Sequence, residues 1–238
     1  MEYSDWAPHY QRIAEQFGFS LDRERASADR LLALLSTSAR GEPLARIAAR
    51  LSGRVVVVVG LAPDAGPPPL WALPAGSEPL AIVAADGATQ TCLAQSLVPE
   101  VIVTDLDGPV PSEVSANLRG ALVAIHAHGD NRPAIERWTP EFAGELAGSW
   151  AGPPERGLFN VGGFTDGDRA AFLAHHVGAK RVILWGFDFT TVSERDPSER
   201  QRKLGKLRWA EKLLTILANS GGPPVERWAR DGTIRPFS

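Results

Sequence analysis

The stretch that decides how this chain folds is Val101-Ile102-Val103-Thr104-Asp105-Leu106-Asp107-Gly108. Its first three residues are β-branched, with Pro99 before them and Gly108 and Pro109 after, which is the pattern of a short buried strand. Two carboxylates follow at once. Asp105 and Asp107 are two residues apart, so in extended chain they point the same way, and their mutual repulsion calls for a cation. Oxygen ligands at a strand end suit Mg²⁺, which keeps several waters and takes the rest of its shell from phosphate. The segment Thr104 to Gly108 also reads as an Asx-type turn that simply closes the strand.

Outward from this stretch, short apolar runs recur at Val55–Val59, Leu80–Ala84, Leu122–Ile125, Leu158–Asn160, Val182–Trp185 and Val225–Trp228. Between them, helices are expected around 87–97, 112–118, 133–148, 166–177 and 202–219. This alternation predicts an α/β fold: a doubly wound, mostly parallel sheet of Rossmann-like type. Residues 1–52 contain no Val, and Leu44, Ile47, Ala48 and Leu51 recur at helical spacing. They are expected to form an N-terminal helical subdomain, with the α/β domain spanning 53–238. Pro67-Pro68-Pro69 and the residues to Pro79 read as a stiff loop. Thr165-Asp166-Gly167-Asp168 reads as a helix N-cap with an acidic third position.

Composition narrows the function. A net charge of −3 over 238 residues gives no basic field for nucleic acid. The single cysteine, Cys92, excludes an internal disulfide and a Cys-based zinc cluster, in keeping with a reducing compartment. No basic-then-apolar leader is visible and no apolar run approaches a membrane span, so a cytoplasmic protein without membrane partners is expected.

In an open parallel sheet, ligands bind beyond the carboxyl ends of the strands. Here the acids come after the strands: Asp86; Asp105 and Asp107; Asp130 within His126-Ala127-His128-Gly129-Asp130-Asn131; Asp166 and Asp168; and Asp188. The segments that lead into the strands (Arg54, Pro99-Glu100, Arg119-Gly120, Lys180-Arg181) are mainly basic or turn-like. So many acids on one edge fit a divalent metal bridging a polyphosphate, and hence phosphoryl or pyrophosphoryl transfer. Arg200, Arg202, Lys203 and Lys206 are expected at the start of the last helix, where they oppose the macrodipole unless an anion docks there; a solvated basic face is the alternative. There is no G-x-x-x-x-G-K-[ST], and Gly60 to Gly66 departs from G-x-G-x-x-G. His126 and His128 form a weak zinc pattern without a third ligand.

Taken together, Ala85-Asp86-Gly87-Ala88, Thr104 to Gly108, His126 to Asn131, Phe164-Thr165-Asp166-Gly167-Asp168-Arg169 and Gly186-Phe187-Asp188 resemble the motif series of the archaeal 6-hydroxymethyl-7,8-dihydropterin pyrophosphokinases, relatives of the thiamine pyrophosphokinases. The match runs from about residue 54 to the C-terminus; the Gly60–Gly66 turn and the stretch 67–79 depart from it. The resemblance implies transfer of pyrophosphate from ATP to a reduced pterin with release of AMP, using Mg²⁺ as cofactor and small-molecule partners. Asp105, Asp107, Asp130, Asp166 and Asp168 would hold the metal. Asp105 or Asp130 would accept the alcohol proton. Lys203, Lys206 and Arg169 would offset phosphate charge, and Asn131 and Thr165 would orient phosphate or water. Asp86 with Gly87, or Asp188, would contact the pterin or nucleotide. Diphosphotransfer to another alcohol such as thiamine, a sugar-nucleotide glycosyltransferase and a non-catalytic nucleotide-binding module are the competing readings; a homo-oligomer is left open.

Overall fold

A computed structural model describes residues 2–62, 65–66, 68–70, 80–155, 157–229 and 231–238. Four helices come first: α1 (Tyr3–Phe17), α2 (Leu21–Leu34), α3 (Thr37–Arg40) and α4 (Pro43–Leu51). The sheet is then built from β1 (Val55–Val59), β2 (Leu80–Ala85), β3 (Val101–Thr104), β4 (Leu122–Ala127), β5 (Leu146–Trp150), β6 (Leu158–Phe159), β7 (Arg181–Trp185), β8 (Val225–Trp228) and β9 (Ile234–Pro236). Helices α5 (Ala88–Ala94), α6 (Val110–Leu118), α7 (Arg132–Trp138), α8 (Asp166–His176) and α9 (Pro197–Ala218) connect the strands. Among the described residues no helix is long and apolar enough to cross a membrane.

The sheet order is β6-β5-β4-β3-β2-β1-β7-β8-β9, parallel throughout except for the β8–β9 pair. The fold is therefore the doubly wound α/β class expected from the strand–helix alternation. Winding starts at β1 and runs outward to β6, then returns to β7 on the other side of β1. The topological switch point thus lies between β1 and β7, where such sheets open a crevice. Two glycines make that opening. A Cβ on Gly60 would sit 2.7 Å from the Gly186 carbonyl oxygen, and one on Gly186 (φ +72°) would sit 2.6 Å from that of Gly60.

Side chains alternate across the sheet with period two. Val56, Val58, Val101, Val103, Leu122 and Ala124 face a core that includes Trp6, Tyr10 and Ile13 of α1, Ile47 and Leu51 of α4, and the apolar faces of α8 and α9. Ile102, Val123 and Ile125 face the other side, against Ala28 and Leu31 of α2 and Ile135 of α7. The N-terminal helices thus share both cores of the sheet.

Two expectations need correction. The segment 133–148 is not one helix: α7 ends at Trp138, a 3-10 turn covers Thr139–Glu141, and Leu146–Trp150 is a strand. The last helix starts at Pro197, capped by Asp196, whose side chain accepts the Ser198 and Glu199 amides. Lys203 and Lys206 therefore lie in its second and third turns, past the reach of the helix terminus, and the macrodipole argument for an anion there lapses. Pro63, Asp64, Pro67 and the stretch 71–79 lie outside the described residues.

Candidate active site

The loop after β3 is both the turn and the carboxylate pair that its sequence suggested. Leu106 adopts φ +68°, with its side chain buried at 3% exposure, and this left-handed residue turns the chain between the two acids. The Leu106 amide donates to Thr104 Oγ1 (2.9 Å) and the Asp107 amide to Asp105 Oδ1 (3.2 Å). The pair converges because of this turn, not because the chain is extended. Asp86, after β2, joins it from a second strained residue at φ +42°. Left-handed non-glycine residues cost energy and gather where a site fixes their geometry. One oxygen from each of Asp86, Asp105 and Asp107 lies within 4.8 Å of the others.

The space beside this cluster depends on one glycine. A Cβ on Gly108 would fall 2.3 Å from Asp86 Oδ2. Asp166, the first residue of α8, also turns toward the cluster. Its Oδ1 has no hydrogen bond and lies 3.5 Å from the Arg169 guanidinium. Burial and then the Asp105 charge push Asp166 well above the usual carboxylate range. Removal from water, followed by the charges of Asp105 and Asp86, pushes Asp107 up to about 6. Burial would raise Asp105 too, but the His128 hydrogen bond and charge hold it below its ordinary value. Behind Asp86, buried Glu113 on α6 is pushed up to about 9 by burial and then by Asp86. Three carboxylates this close together, with Asp107 raised by its neighbours' charge and a fourth acid at the edge, fit a divalent cation with oxygen ligands.

Other expected site residues are placed elsewhere. Asp168 is fully buried and accepts the Phe164 amide (2.6 Å), the Thr165 amide (2.7 Å) and the Thr165 hydroxyl, closing a capping box. Both oxygens are spent on the helix start, and the Thr165 hydroxyl with them, so Asp168 is not open to metal. Asp130 is exposed and pairs with Arg23 at 2.7 Å, outside the cluster. Asn131 donates to the carbonyls of Asp105 (2.8 Å) and His126 (2.7 Å) and accepts the His128 amide (2.9 Å). It ties the β3 and β4 loops together and has no polar atom left to orient phosphate. Asp188 accepts the amides of Thr190 and Thr191 and the Thr190 hydroxyl, and the Thr190 amide bond leads in lowering it to about 2. His126 is buried against Ser149 Oγ (3.0 Å), whereas His128 Nε2 meets Asp105 Oδ2 (3.2 Å), so the two imidazoles serve different partners. The Asp130 amide donates to His128 Nδ1, which leaves Nε2 to donate to Asp105 when the ring is neutral.

Two clefts flank the cluster. One opens at the β1/β7 switch point and is lined by Gly60, Asp86, Gly87, Thr165, Asp166 and Lys203 among others. The second lies between the N-terminal helices and the β3 and β4 loops, lined by Tyr10, Phe19, Glu24, Asp105, Phe164 and Lys206 among others. Lys206 also faces Asp107 and opposes its upward shift, whereas Lys203 is held by Glu194 at 2.5 Å. Glu24, Tyr10 and Glu113 escaped the sequence reading. Each sits within an amphipathic helix, where its residue type looks ordinary.

The family model described as 6-hydroxymethylpterin diphosphokinase, MptE-like, matches residues 72–194. The chain is 37% identical to the 6-hydroxymethyl-7,8-dihydropterin pyrophosphokinase of Methanothermobacter thermautotrophicus, over 96% of this chain and 100% of that one. It is 36% identical to the protein of that name from Pyrococcus furiosus, over 93% of this chain and 96% of the relative. A third, from Methanocaldococcus jannaschii, is 34% identical over 91% and 96% respectively.

Proposed function

This chain belongs to the family of MptE-like 6-hydroxymethylpterin diphosphokinases, and from that premise we propose that its strand-end site moves the β,γ-pyrophosphoryl group of ATP to the hydroxymethyl oxygen of 6-hydroxymethyl-7,8-dihydropterin. The resemblance carried by the strand-end motifs is borne out, and the chain is a pyrophosphokinase. The observation that carries the finer reading is the place of the acidic cluster between two clefts. Asp86 and Asp166 border the switch-point cleft and Asp105 borders the other, as a transfer between two bound substrates requires.

Nucleotide at the switch point would bring its phosphates over Asp86 and the start of α8, the ordinary ligand position of a doubly wound sheet. Asp86, Asp105 and Asp107 would hold Mg²⁺, with Asp166 beside them. When bound there, the ion supplies charge neutralisation to the β- and γ-phosphate oxygens. The hydroxymethyl oxygen attacks the β-phosphorus, the bond from that phosphorus to the α,β-bridging oxygen breaks, and AMP leaves with the bridging oxygen. Asp105 borders the acceptor cleft and would receive the hydroxyl proton. Its hydrogen bond from His128 Nε2 fixes the orientation of that carboxylate. Lys206, facing Asp107, and Lys203, once freed from Glu194, would stabilise charge on the transferred group. Arg169 is buried; it donates to the Phe164 carbonyl (2.9 Å) and reaches Asp166, so it holds the start of α8 in position.

The test is product analysis with ATP, Mg²⁺ and the hydroxymethyl dihydropterin. AMP is expected to appear one-for-one with pyrophosphorylated pterin. ADP as the nucleotide product, or turnover with thiamine and none with the pterin, would overturn this reading.

A further inference from the structure

The cleft beside Asp105 has a polar floor that neither the cluster nor the proposed chemistry uses. Glu24, in the first turn of α2, is only 3% exposed. The Tyr10 hydroxyl and the Gly129 amide interact with its carboxylate, yet Oε2 is fully enclosed and has no hydrogen-bond partner. A buried carboxylate oxygen left unpaired carries the full cost of its desolvation, so its retention asks for a ligand donor. The surrounding walls are aromatic. Phe19 and Phe164 stand 6.1 Å apart between ring centroids, and Tyr10 and Phe19 line the same cleft as Glu24.

We propose that Glu24 determines acceptor specificity, its free Oε2 in the aromatic cleft accepting N–H donors from the edge of a flat heteroaromatic ring whose alcohol arm reaches Asp105. This rests on the proposed transfer reaction and adds the part of the acceptor that is read. A 2-amino-4-oxo ring edge carries adjacent N–H donors that a carboxylate accepts, whereas thiamine's thiazolium ring, which bears the alcohol arm, carries no N–H donor. The N-terminal helices thereby become part of the acceptor pocket, since α1 supplies Tyr10 and α2 supplies Glu24 to a site whose other half comes from the sheet. Glu24 replaces Asp86 and Asp188 as the reader of the ring, because Asp86 belongs to the acidic cluster and Asp188, one of whose oxygens accepts three bonds from its own turn, lines the switch-point cleft and not this one.

The cleft as it stands holds about 60 Å³, room for about two waters. Its floor is buried, but on its lining Asp130, paired with Arg23, and Arg202, over the Phe19 ring, are exposed, so opening breaks these surface contacts and does not move the sheet.

The experiment compares the unaltered protein with Glu24→Gln, using 6-hydroxymethyl-7,8-dihydropterin and an analogue carrying a methyl group in place of the 2-amino group. Acceptor binding is measured by calorimetry without nucleotide, and KM for acceptor and for ATP by turnover. The unaltered protein is expected to bind the methyl analogue at least tenfold more weakly. Glu24→Gln should raise the KM for the pterin about tenfold, leave the KM for ATP within twofold, and bind the two acceptors within threefold of each other. Equal affinity of the unaltered protein for both acceptors would overturn the inference, and so would selectivity that survives in Glu24→Gln or an equal rise in both KM values. If Glu24→Gln does not fold, the comparison of acceptors on the unaltered protein decides alone. Absence of AMP would count against the reaction and not against Glu24, because the calorimetric comparison needs no turnover.

Discussion

Two acid pairs in this chain share one spacing and meet opposite fates. Asp105 and Asp107 flank Leu106 after β3, and Asp166 and Asp168 flank Gly167 at the start of α8. In the first pair the Asp107 amide and His128 Nε2 each meet one oxygen of Asp105, and Asp107 stays free to meet Asp86. In the second pair Asp168 is consumed by the amides and hydroxyl of its own helix start, and only Asp166 is left facing the site. The difference lies in the donors nearby. A helix N-terminus presents unpaired N–H groups that capture a carboxylate at its third position. A strand end that turns through a left-handed residue presents fewer, so among the described residues Asp107 accepts no backbone amide there. An acid pair is therefore a metal candidate only after the backbone donors around it have been counted.

The largest effect should come from the open pair. Asp107→Asn is expected to lower kcat roughly 10²–10³-fold through lost electrostatic stabilisation, with the melting temperature unchanged or raised because a repelling charge is gone. Steady-state rates and a thermal melt check this. Next is Gly108→Ala, whose added methyl group would meet the Asp86 carboxylate; metal affinity measured by calorimetry should fall roughly 10–100-fold as Asp86 is displaced. Asp168→Ala should do the reverse of Asp107→Asn. It uncaps α8 and should cost about 1–2 kcal/mol of stability in urea unfolding, while the folded protein keeps its metal affinity. The smallest effect belongs to Asp130→Asn. Its pair with Arg23 is exposed on both sides, so stability should change by less than about 1 kcal/mol and kcat by less than about twofold.

The fold was legible where the sequence is β-branched and strand-length. Val55–Val59 and Val101–Thr104 form the strands that their composition announced. Leu146-Ala147-Gly148-Ser149-Trp150 was hidden because it has no β-branched residue and follows a true helix, so it reads as the helix tail. The start of α9 was signalled by Asp196-Pro197, a cap followed by proline at the first helical position, but the apolar stripe that marks the helix begins only at Leu204. At the site, Asp105 and Asp107 were readable because they follow a strand directly. Asp168 was readable as the acidic third position of a helix cap, which the capping box bears out. The role of Asn131 was not, since it is fixed by hydrogen bonds to backbone groups whose positions exist only in the folded chain. Glu24 and Glu113 were invisible for a related reason: an acid on a helix looks solvated until another element covers it.

The measurement that bears most directly on this account is Mn²⁺ binding, followed by electron paramagnetic resonance with ATP present, in the unaltered protein, Asp107→Asn and Asp168→Asn. The account predicts tight binding in the unaltered protein, its loss by at least tenfold in Asp107→Asn, and affinity within twofold of the unaltered value in Asp168→Asn. Binding that survives Asp107→Asn, or fails in a folded Asp168→Asn, would contradict it.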